Sequence, residues 1–99
     1  MKQIERIQVM EERLNRVRAA ADALEAALDG YEAAKGDLAK LERYYTGKLW
    51  RKDYEDREAG KIPEEILCGV LSEDAVYDLL TDTDALKKRM NKLGKKTKA

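Results

Sequence analysis

Alternate steps of three and four residues from Ile7 land on Ile7, Met10, Leu14, Val17, Ala21, Leu24, Leu28 and Tyr31, and all eight are apolar. A helix turns once every 3.6 residues or so, so these steps collect on one face. One series within the stripe continues unbroken through Met10, Val17, Leu24, Tyr31, Leu38 and Tyr45. Its companion fails at Lys35 and Glu42, where the apolar residue moves one place earlier, to Ala34 and Leu41. A strict seven-residue repeat imposes a supercoil, whereas this drift is what a straight helix shows. The fold class predicted is all-α: a long amphipathic helix or an antiparallel helical hairpin, capped by short C-terminal helices. The drift favours the hairpin. Its turn is expected at Asp29-Gly30 or, preferably, at Lys35-Gly36-Asp37, where Gly36 ends one helix and Asp37 caps the next. Without a break, the helix from Gln3 to Tyr45 would rise about 65 Å, a long element for so short a chain.

Beyond Tyr45 the pattern shortens. Thr46-Gly47 reads as a stop, and Leu49, Trp50 and Tyr54 share a face of a short helix ending near Ala59-Gly60. Pro63 suits the first position of a further turn, and the two acids after it suit a helix dipole. Ile66, Leu67, Val70 and Leu71 make a dense apolar patch. Ser72 is the expected N-cap of the next helix, with Leu71 and Val76 flanking it as a hydrophobic staple. Val76, Leu79, Thr83, Leu86, Met90 and Leu93 keep one register across Thr81-Asp82-Thr83-Asp84, so one bent helix and two separate helices both fit. Gly94 is expected to end it. Residues 1–93 form the expected single domain and 94–99 a disordered basic tail.

Composition supports order. Charged residues are 40% of the chain, yet the 43% that are hydrophobic are strongly patterned, which argues against disorder. Formal charge is zero, with 20 basic and 20 acidic residues, but the signs are segregated. Lys61–Asp84 carries seven acids against one base, and Ala85 onward carries seven bases and no acid. The bases Lys87, Lys88, Arg89, Lys92, Lys95 and Lys96 are therefore the candidate nucleic-acid contacts, with Arg13, Arg16 and Arg18 as further candidates. The plainer reading is a solvated tail, or pairing with the acidic segment before it.

The stretch from Tyr44 to Leu80 carries Tyr44-Tyr45, Trp50, Asp53-Tyr54-Glu55, Gly60, Pro63, Gly69-Val70-Leu71-Ser72-Glu73-Asp74, Tyr77 and Leu79-Leu80. Together with the opening MKQIERIQVMEERLNRV, it resembles a family of small bacterial proteins defined as domain of unknown function 4298. Arg57 departs from the acidic character that family tends to show after Asp56. The resemblance implies a bacterial, cytoplasmic protein and no particular chemistry.

Candidate chemistry is sparse. There is no His, so catalytic groupings that need imidazole are excluded. Neither GxGxxG nor GxxxxGK[ST] occurs. Cys68 is the only cysteine, which rules out an intrachain disulfide and a cysteine cage, and it is expected to be a buried small hydrophobe. Asp82 and Asp84 mimic two calcium ligands, but Leu86 occupies the third ligand position and the required Gly is missing. Asp53, Glu55, Asp56 and Glu58 beside Trp50 and Tyr54 read as a solvated helix face with pairs such as Asp53–Arg57 rather than as acid–base machinery. Trp50, Tyr44, Tyr45 and Tyr54 read first as packing, then as a partner groove, and last as a platform for bases.

No enzyme, metal or cofactor is predicted, and no signal peptide or membrane span is recognisable. The function expected is a protein–protein interaction or self-association module in the cytoplasm. It would use Leu14, Val17, Leu24, Leu28, Tyr31, Trp50 and Tyr54, with the chain itself, as a homodimer, or another protein as partner. The alternative is a nucleic-acid-associated accessory protein using the basic C-terminal segment.

Overall fold

The computed structural model describes residues 2–96. Its elements are α1 (Gln3–Tyr45), α2 (Lys48–Glu58), a 3-10 turn (Gly69–Leu71) and α3 (Ala75–Lys96), with no strand among the described residues. The all-α class is as expected. The hairpin is not: α1 runs through Gly30 and Gly36 without a break. A glycine inside a helix costs about 1 kcal/mol, but a break would cost a new helix nucleus and leave several carbonyls and N–H groups to be capped. Ala26, Ala27, Leu28, Ala33 and Ala34 around the two glycines are good helix formers, so continuity wins. A Cβ added at either glycine would meet nothing within 4 Å. Gly30→Ala and Gly36→Ala should each stabilise the helix by about 0.5–1 kcal/mol, read from the thermal melt by circular dichroism.

The chain divides into two units, Met1–Asp37 and Leu38–Ala99, with the boundary inside α1. From Gln3 onward the first is helix, and α1 has no buried residue. Ile7, Met10, Leu14, Val17 and Leu24 are all more than half exposed, and Leu28 is 36% exposed.

The second unit holds the folded corner. The α1 helix stops where Thr46 turns its hydroxyl back to the Glu42 carbonyl (2.8 Å) and Gly47 donates its N–H to Tyr44 (3.1 Å). At Gly47 the chain passes so close to α1 that a Cβ would lie 3.0 Å from the Arg43 carbonyl oxygen. Gly47→Ala should therefore destabilise this unit by about 1 kcal/mol, opposite in sign to the other two glycine replacements. The second helix closes as the sequence suggests. Gly60 adopts φ +74, its N–H reaches the Arg57 carbonyl (3.0 Å), and the Lys61 N–H reaches that of Asp56 (2.9 Å). This pair of bonds satisfies the last carbonyls of α2, and the left-handed backbone explains the glycine.

No helix follows Pro63. Its carbonyl accepts the Ile66 N–H (3.1 Å) in a single turn, and Leu67 of the expected apolar patch is 96% exposed. Ser72 does not cap α3; it closes the 3-10 turn by donating its N–H to Gly69 (3.1 Å). The helix begins at Ala75, with the Asp74 carbonyl accepting the first bond, from Asp78 (2.8 Å). Leu71 and Val76 on either side of that start are nonetheless the buried hydrophobic residues of the described chain, at 5% and 3% exposure. The 3-10 turn packs against both α2 and α3.

The third helix is one element. Thr83 does not cap a new helix but turns its hydroxyl onto the Leu79 and Leu80 carbonyls (2.9 and 3.1 Å), which removes its reason to break the chain. Nor does Gly94 end α3, which continues to Lys96; residues 97–99 of the expected tail lie outside the described residues.

Candidate interaction surfaces

Three aromatic residues, Tyr45, Trp50 and Tyr54, come together at the junction of α1 and α2. Tyr45 comes from the last turn of α1, and Trp50 and Tyr54 lie four apart on α2, so one helical turn stacks them. Their rings are 5.3 Å apart and nearly parallel, at 16°. Tyr45 meets Trp50 edge-on at 5.2 Å and 74°, the other favoured aromatic geometry. The indole N–H donates to the Val70 carbonyl (2.9 Å) and the Tyr54 hydroxyl to a Glu73 carboxylate oxygen (2.9 Å). Trp50 and Tyr54 thus tie the turn preceding α3 to α2, and both are half-buried. The packing role holds for them, although a depression of about 520 Å³ lined by Tyr45, Gly47, Lys48, Trp50 and Arg51 leaves one side of the cluster open.

Tyr44 faces a different partner. Its hydroxyl donates to Asp53 at 2.6 Å, a short bond of the kind made to an ionised acceptor. Loss of water around the phenol, followed by the adjoining Asp53 carboxylate, pushes its pKa up to about 12. The folded chain therefore holds this proton more tightly than the unfolded chain. That contribution is whole below about pH 10 and drains away as the pH climbs through about 12. A tyrosinate absorbance titration should show Tyr44 ionising late, alongside Tyr54, whose bond to Glu73 also raises its pKa, and Tyr44→Phe should remove one late step. An unchanged titration in the variant would contradict the assignment.

The expected Asp53–Arg57 pair is replaced by this tyrosine bond. The i,i+4 pair on α2 is instead Lys52–Asp56 at 2.8 Å, which raises the lysine and lowers the carboxyl pKa. Cys68 is half-buried rather than enclosed, with its thiol 3.4 Å from the Ile66 carbonyl. Among the described residues, no group of three His, Cys, Asp or Glu side chains could hold a metal ion. No helix is long and apolar enough to cross a membrane.

The remaining candidates do not converge on one place. Leu14, Val17, Leu24 and Leu28 line α1 and are exposed, while Tyr31 in the same stripe is half-buried. Lys87, Lys88, Arg89, Lys92 and Lys95 are exposed on α3, Lys88 pairing with Asp84 at 3.0 Å; Lys96 is the last residue of that helix. Sequence reasoning missed Glu73, which takes the Tyr54 hydroxyl on its side chain. Only its place among the residues that resemble the family singled it out.

No curated protein and no solved structure matches the chain. A family model does: residues 7–93 match the Domain of unknown function (DUF4298). The match takes in the α1 stripe, the aromatic corner and α3 up to Leu93, and on that coverage the chain belongs to the DUF4298 family.

Proposed function

We propose that this protein is a cytosolic, non-enzymatic module that associates with a second copy of itself through the apolar stripe of α1. The observation behind the reading is that a 43-residue helix with no buried residue carries a regular apolar stripe. Most helix stability in proteins comes from burying such a face, and from Ile7 to Leu24 this one stays exposed within the chain. A second copy brings an identical stripe of equal length, and two such helices packed together with their neighbours would resemble a helical bundle. Ala19, Ala20, Ala23, Ala26 and Ala27 flank the stripe and allow a close approach.

Solution mass by light scattering, at low and high salt and with and without a DNA duplex, tests the reading. A salt-insensitive dimer that ignores DNA supports it. A monomer that shifts onto the duplex only at low salt would replace it with a nucleic-acid role for the basic part of α3.

A further inference from the structure

The third helix has its own exposed seam and an unusual order of charges. Leu79, Thr83, Leu86 and Met90 share one face, with Leu79, Leu86 and Met90 at 41%, 49% and 37% exposure. The N-terminal half carries Asp78, Asp82 and Asp84, and the C-terminal half carries Lys87, Lys88, Arg89, Lys92 and Lys95. Acids first and bases last also suit the helix dipole, but that effect fades beyond the terminal turns. Asp82, Asp84 and the bases from Lys87 to Arg89 lie in mid-helix, so the dipole does not account for them.

We propose that α3 pairs antiparallel with α3 of a second copy. Running the two helices in opposite directions sets the acidic half of each beside the basic half of the other. Placing Leu79 opposite Met90 of the second copy also places Thr83 opposite Leu86. At the edge of that seam the same register brings Asp82 beside Arg89 of the second copy, and the two-fold symmetry makes this contact twice. Asp82 and Arg89 make no ion pair within the described chain, whereas Asp84 is held by Lys88. Thr83 enters the seam with its hydroxyl already bonded to backbone carbonyls, so it brings no unpaired polar group. A parallel pairing would place Asp82 near Lys87, but would lay the acidic halves together and the basic halves together. Charge complementarity selects the antiparallel form and a second copy of this chain as the occupant.

The pairing stands on the charge order of α3 and does not rest on the α1 reading. Asp82→Arg sets Arg against Arg at both edges, and Arg89→Asp sets Asp against Asp. At low salt each full-length variant alone should associate about tenfold more weakly than the parent. Mixed together, the two restore both pairs, so native mass spectrometry should show the mixed dimer well above its statistical share. A mixed dimer at or below that share, or single variants that associate like the parent, would overturn the pairing. An α1-driven dimer shows no such preference, and a parallel α3 pair, with its basic halves together, would not be weakened by Arg89→Asp, so each alternative gives a different pattern.

Discussion

Trp50→Ala should cost the unit Leu38–Ala99 about 3 kcal/mol, in the range for removing a large aromatic from a packed site. Three separate losses add up to it. The Tyr45 and Tyr54 ring contacts contribute about 0.5–1.5 kcal/mol each beyond burial. The bond from the indole N–H to Val70 contributes about 1 kcal/mol, and its loss leaves that carbonyl without its partner. So small a unit has only a few kcal/mol to lose, so the turn before α3 should come away from α2. Trp50→Phe, which keeps a ring but removes the donor, should cost about 1 kcal/mol. Denaturant melts followed by circular dichroism would check both values. A loss below about 1 kcal/mol for the alanine variant would mean that the aromatic corner does not hold this unit together.

Replacing Leu24 and Leu28 with Glu should have its effect on assembly rather than on the fold. Within the chain these side chains are 58% and 36% exposed, and Glu is nearly as good a helix former as Leu. The single chain should therefore keep its helicity, with stability changed by no more than about 0.5 kcal/mol per site. If a second copy covers the stripe, four carboxylates would be buried without partners and association should weaken about 100-fold or more. Light scattering over a concentration series, with circular dichroism as the control for folding, reads both quantities. Unchanged mass with unchanged helicity would remove α1 as the organising surface.

Local signals in the sequence were good guides to local structure. The stripe from Ile7 to Tyr31, the stop at Thr46-Gly47 and the end of α2 at Ala59-Gly60 depend on neighbours within a few residues. All three appear in the structure. The hairpin does not form because helix continuity outweighs two glycines: their neighbours are good helix formers, and a break would need a new nucleus and new caps. The Trp50–Val70 bond joins residues 20 apart through a carbonyl, and no side-chain pattern encodes a carbonyl's direction. One bent helix and two separate helices both fitted the register across Thr81–Asp84, and the structure has one helix, in which the Thr83 hydroxyl bonds back to the Leu79 and Leu80 carbonyls. The interaction residues on α1 were legible as a stripe. Their exposure was not, because periodicity identifies an apolar face without identifying what covers it.

Trp50 is the only tryptophan of the chain, and it lies in the second unit, while the first unit, Met1–Asp37, contains none. Its fluorescence therefore reports on one cooperative unit, whereas far-ultraviolet ellipticity weighs both. Two-state unfolding requires the two signals to change together. In the unassembled chain the first unit has little but local contacts, so its helix should fray over a broad range of temperature while the aromatic corner melts at its own midpoint. One chain would then have two transitions, and a single melting temperature would describe neither.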